Sequence, residues 1–70
     1  MIKGWVKPNG IENLDALKVK NKSSMTTVVA RLLEEAGNPP KVINKYFDEV
    51  EEGSDWNHCV KVSRKYLLGE

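Results

Sequence analysis

One cysteine and one histidine are all that the 70 residues hold of those two types. A lone cysteine excludes a disulfide framework and any cysteine-rich zinc site. His58 and Cys59 are neighbours, so on a helix they point about 100° apart and cannot act as a catalytic pair, which must meet at hydrogen-bond reach. The five glycines are scattered and form no phosphate-cradling loop, and no two carboxylates stand apart in a context that suggests a raised pKa. No apolar run approaches the ~20 residues of a membrane span. The start, MIKGWVKPNG, lacks the hydrophobic stretch of a signal peptide. A chain this short is also expected to leave little room for a ligand pocket of ~300 Å3 or more. These absences lead to the expectation of a soluble, unprocessed, cytoplasmic, non-enzymatic protein with no cofactor and no metal.

Hydrophobic residues make up 40% of the chain and charged residues 30%, the balance of a folded globule and not of a disordered tail. One domain spanning residues 1–70 follows. It buries only roughly 60% of the surface its unfolded chain exposes. The formal net charge of +1 conceals three patches. Residues 1–31 carry six basic side chains against two acids, residues 32–55 two against seven, and residues 56–70 three against one. Such a mosaic is unlike the uniformly basic surface of a simple nucleic-acid sleeve.

Apolar spacing predicts helices over 24–37, 39–53 and 54–69. Met25, Val28, Val29, Leu32, Leu33 and Ala36 recur at i, i+3, i+4, i+7, i+8 and i+11, with Ser24 placed to cap and Gly37 to stop. Val42, Ile43, Tyr46, Phe47 and Val50 share the face of a second helix, which Asn38 would cap, Pro39 begin and Gly53 end. In a third helix, capped by Ser54, Trp56, Cys59, Val60 and Leu67 lie on one side, with Ser63 interrupting. Residues 1–23 read as an extended or partly helical segment anchored by Trp5 and Val6. Residues 10–22 admit two readings. As a helix, Asn9 caps and Ile11, Leu14 and Leu17 line one side, with Glu12 in the capping-box position; as a strand, Leu17 and Val19 alternate with Lys18 and Lys20. The expected fold is therefore mainly α, a compact three- or four-helix domain with a short extended N-terminal segment. The alternative is α+β, a short strand followed by helices.

Two routes to DNA follow from these elements. The corner EEAGNPPK carries a turn glycine, and a second helix starting there would present Lys41, Asn44 and Lys45 as a helix-turn-helix does. Leu33 four residues before the glycine, the paired prolines and the following Asp48, Glu49, Glu51 and Glu52 all weigh against it. The strand reading resembles ribbon-helix-helix regulators in layout only. That resemblance implies a dimer whose paired strands enter the major groove, with Lys18 and Lys20 on the ribbon and Lys22 beside it. NPPK stands where that family has a polar cluster, and the extra C-terminal segment is atypical.

The favoured expectation is a protein partner. Glu34 and Glu35 end the first helix and Glu49, Glu51 and Glu52 the second, where the helix dipole already concentrates negative charge; each costs about 0.3–1 kcal/mol. Local pairs such as Arg31 with Glu35 and Lys45 with Glu49 recover only about 0.2–0.5 kcal/mol apiece. Asp48, Glu49, Glu51, Glu52 and Asp55, with Trp56 as an aromatic anchor, thus form the preferred contact surface for a basic partner. Val62, Tyr66 and Leu68 fall off the main face of the third helix, free to cover the N-terminal segment or to seam a homodimer. A small free-standing chain of this kind matches, by analogy, products of phages and mobile elements.

Overall fold

The computed structural model describes residues 3–11, 18–53 and 55–69. Among the described residues three helices make up the architecture: α1, Lys22–Glu35; α2, Pro40–Glu51; and α3, Trp56–Leu68. Each packs against the other two. Their Cα radius of gyration, 10.8 Å, matches the value of about 11 Å expected for a compact domain of this length. The mainly α fold is thus as the apolar spacing predicts, and among the described residues there is no strand.

Local chemistry places the helix ends slightly differently from expectation. α1 starts two residues earlier than Ser24, because the Asn21 side chain accepts the Ser24 N–H at 2.8 Å and is the true cap. It ends at Gly37, whose φ of 98° turns the chain left-handed. There the N–H of Asn38 donates to Leu33 and that of Gly37 to Glu34, both at 3.0 Å, closing the paired bonds of a Schellman turn. Asn38 does not cap α2; Pro39 takes that position without a side-chain bond, and Pro40 is the first helical residue. α3 is capped by Asp55, which accepts the His58 N–H, and not by Ser54, which lies outside the described residues.

The core forms from one stripe of each helix: Met25, Val29 and Leu33; Val42, Tyr46 and Val50; Cys59, Val62, Tyr66 and Leu67. On α3 this corrects the sequence reading. Cys59, Val62, Ser63, Tyr66 and Leu67 are all buried at i, i+3, i+4, i+7 and i+8, and Trp56 is not among them. Ser63 does not interrupt the face, because its hydroxyl pairs with the Tyr46 hydroxyl at 2.8 Å inside the core. Val62 and Tyr66 are consequently unavailable for a dimer seam.

The N-terminal segment crosses the far ends of these helices, held by two polar clamps. The Trp5 indole N–H donates to the carbonyl of Tyr66 at 2.7 Å, satisfying one of the orphan carbonyls at the end of α3. The buried Asn38 amide accepts from the Val6 N–H at 2.7 Å and donates to the Val6 carbonyl at 2.8 Å, as a neighbouring strand would. The same amide also donates to Leu33 at 2.9 Å. Val6 is anchored by its backbone alone; its side chain, 44% exposed, is no core anchor. The alternatives for residues 10–22 fall largely on 12–17, outside the described residues, while Lys18, Val19 and Lys20 are neither helical nor paired in a sheet.

Candidate functional site

The outer side of α2 holds most of the polar candidates. Lys41, Asn44, Lys45 and Asp48 lie at i, i+3, i+4 and i+7 and are all exposed, so they form one stripe. Glu51 and Glu52 continue it at the C-terminal end, also exposed. Charge along the stripe therefore runs from basic to acidic toward the end of the helix, against the dipole. Neither α1 nor α2 has a basic residue in its last turn to offset this. Lys22 approaches Glu51 at 3.7 Å, a loose and exposed pair worth at most about 1 kcal/mol.

Glu49 departs from its expected place on this surface. It faces α3, where its carboxylate accepts from Lys65 Nζ at 2.8 Å and from the hydroxyl of buried Tyr66. Its backbone carbonyl accepts from His58 at 2.7 Å, which assigns the proton to Nε2 of that ring. His58 is accordingly a half-buried brace between α2 and α3 and not a surface side chain. The ring lies where a Cβ on Gly53 would be, within 2.5 Å of its Cγ, so the glycine is needed there for space. Burial pushes the Glu49 carboxyl upward, but the bonds from Lys65 and Tyr66 outweigh it and hold the group below its ordinary value of 4.5. Tyr66 moves the other way, because burial and the adjacent Glu49 carboxylate both disfavour its phenolate. Tyr46, whose ring meets Tyr66 edge-on at 5.3 Å, is raised mainly by burial. Glu49, Glu52, His58, Lys61 and Lys65 surround a depression of about 220 Å3 here.

A larger groove opens at the other side of α3. Met25 is its floor, with the half-buried Val19 and Val60 beside it, and the exposed Lys18, Lys20, Trp56 and Asn57 stand around it. Its volume, about 670 Å3, exceeds what so short a chain was expected to offer. Trp56 is 37% exposed and lines this groove together with the two lysines. Lys18, Lys20 and Trp56, far apart in the chain and in their expected roles, are thus brought together. Lys22 instead turns to Glu51, and the Asp55 carboxylate caps α3.

No protein-family model, curated protein or solved structure matches this chain. Its own surfaces must indicate its role. Among the described residues no three His, Cys, Asp or Glu side chains are placed to hold a metal ion. No helix among them is long and apolar enough to cross a membrane. Cys59 is buried, and burial raises its thiol pKa against the opposing influence of Ser63 and Lys22, so it packs as a small core residue. Periodicity could not have revealed the roles of Asn38 and His58, because each partner lies on a different element.

Proposed function

We propose that the protein is a small, non-enzymatic regulatory or accessory protein of the cytoplasm that acts by binding another protein, through the acidic end of α2. The observation that carries this reading is the cluster of exposed carboxylates on Asp48, Glu51, Glu52 and Asp55. No basic side chain stands in the last turn of α2 to balance them. Stability alone disfavours Asp48, Glu51 and Glu52 at that helix end by about 0.3–1 kcal/mol apiece, in a domain with only ~5–15 kcal/mol to lose. Asp55 is instead accounted for as the cap of α3. A basic partner reverses the sign of the effect, since the field that strains the helix then steers and orients the encounter.

A binding role is also supported by how the reactive groups are used. Among the described residues, Glu49, Tyr66, His58 and Ser63 are side chains whose chemistry could serve acid–base or nucleophilic steps. Each is engaged in joining α2 to α3. Duplex DNA is the weaker target: Lys41, Asn44 and Lys45 are exposed, but Asp48 follows one turn later on the same stripe, where it would meet the phosphates.

The test compares the wild type with a Glu51→Lys, Glu52→Lys double variant as immobilised bait. A protein retained by the wild type and lost by the variant, with helical circular dichroism unchanged, is the expected result, and reversing a basic residue on that protein should restore capture. Equal retention by both baits overturns the acidic contact. Salt-sensitive binding of the wild type to random duplex DNA, unaffected by the reversal, replaces it with the DNA reading.

A further inference from the structure

We infer that the groove beside α3 is a second recognition site, shaped for a short acidic peptide segment that carries one bulky apolar side chain. Apolar surface and cationic charge coincide in this groove. Trp56, the first residue of α3, is 37% exposed and lines the groove together with buried Met25 and the half-buried Val19 and Val60. An apolar side chain laid there covers area that the fold leaves wet, and aromatic anchors of this kind dominate the energetics of small interfaces. Lys18 and Lys20 give the groove its sign. Among the described residues no acidic side chain lines it and neither lysine has an ion-pair partner. Lys18 is, besides, the one non-glycine residue among those described with a positive φ, 53°. Held left-handed, it stands at the groove on a backbone conformation that costs about 1–2 kcal/mol.

Aromatic surface with flanking lysines also suits single-stranded nucleic acid. Charge beyond the groove decides between the two. Asp55 adjoins Trp56, and Glu51 is held near the start of α1 by Lys22. A phosphodiester chain longer than the groove meets those carboxylates, whereas a short peptide places its two or three acids on the lysines and ends. Asn57, exposed beside Trp56, can serve a peptide backbone amide. Groove and acidic ridge have opposite signs, so one partner using both would carry a basic surface and an acidic-apolar segment. The groove site stands without the ridge.

The test titrates the 15N-labelled protein with a blocked hexapeptide of sequence GDEFDG, with its counterpart in which lysine replaces every acid, and with a six-nucleotide oligothymidine. Saturable shifts of the Trp56 indole N–H and of the Lys18 and Lys20 amides by the acidic peptide are expected, while the Trp5 indole, bonded to Tyr66, stays still. Trp56→Ala and the Lys18→Gln, Lys20→Gln pair should each weaken binding at least about tenfold without loss of helical signal. Glu51→Lys with Glu52→Lys should leave it as strong or stronger, so failure of the ridge and failure of the groove are read separately. The site is refuted if millimolar acidic peptide produces no saturable shift at these positions. Equal binding of the lysine peptide, or tighter binding of the oligothymidine, refutes it as well.

Discussion

Replacing Glu49 with alanine removes the acceptor of two donors at once, and the two losses differ in kind. Lys65 is 45% exposed and Glu49 22%, so breaking their bond returns an ammonium group to water and costs at most about 1 kcal/mol. Tyr66 is fully buried, so its hydroxyl is left without a partner at about 1–3 kcal/mol. The sum, about 1–4 kcal/mol, is a large share of the ~5–15 kcal/mol that a domain has at best. Tyr66→Phe deletes the donor and leaves Glu49 with Lys65, at about 1 kcal/mol. In the double variant no hydroxyl is orphaned, so its cost should fall short of the summed single costs by about 1–2 kcal/mol. Urea unfolding followed by circular dichroism at neutral pH measures all four species. Additivity within about 0.5 kcal/mol would show that the two side chains do not share a desolvated bond in solution, and would refute the account. The pH dependence is a second check. Glu49 has a folded pKa below its unfolded one, so its contribution is complete above 4.5 and is lost as pH falls through the lower, folded value. Wild type should therefore lose more stability in that acid range than Glu49→Gln does.

Other side chains give equally specific expectations. Asn38→Ala should cost about 2 kcal/mol and speed hydrogen exchange at the Val6 amide, and Asn38→Asp should cost more at neutral pH, since a carboxylate would face the Val6 and Leu33 carbonyls. An aspartate variant milder than the alanine one would mean the clamp is not formed. Gly53→Ala should destabilise by about 1–3 kcal/mol through collision with the His58 ring, and most of that should vanish in a His58→Ala background. Lys18→Gly should stabilise by about 0.5–1 kcal/mol by relieving its left-handed backbone, measurable as a raised urea midpoint. Cys59, 1% exposed, should react with an aromatic disulfide reagent at least about a thousandfold more slowly than the unfolded chain. Equal rates would contradict its burial.

The helices and most of the core are legible in the sequence because they rest on local rules. Met25, Val29, Leu33, Val42, Tyr46 and Val50 are buried where periodicity places them, and Gly37 turns the chain as only a residue without a Cβ does readily. The reading of α3 went astray at Ser63, because a hydroxyl counts as polar until its partner is known. Tyr46, 17 residues earlier, is that partner. Among candidate contacts, Asp48, Glu51 and Glu52 are displayed on α2, but their neighbour Glu49 turns inward to α3.

The sequence by itself determined three amphipathic helices, their approximate ends and an acidic run at the end of the second, since these depend on spacing and side-chain chemistry within a few residues. Only the tertiary structure decided that Asn38 grips Val6, that His58 and Glu49 lock α2 to α3, and that Lys18 and Lys20 share a groove with Trp56. Each of those contacts joins residues separated by 9 to 38 positions in the chain. Hydrogen bonds and grooves of that kind exist only once packing has brought the helices together, and no local pattern encodes them.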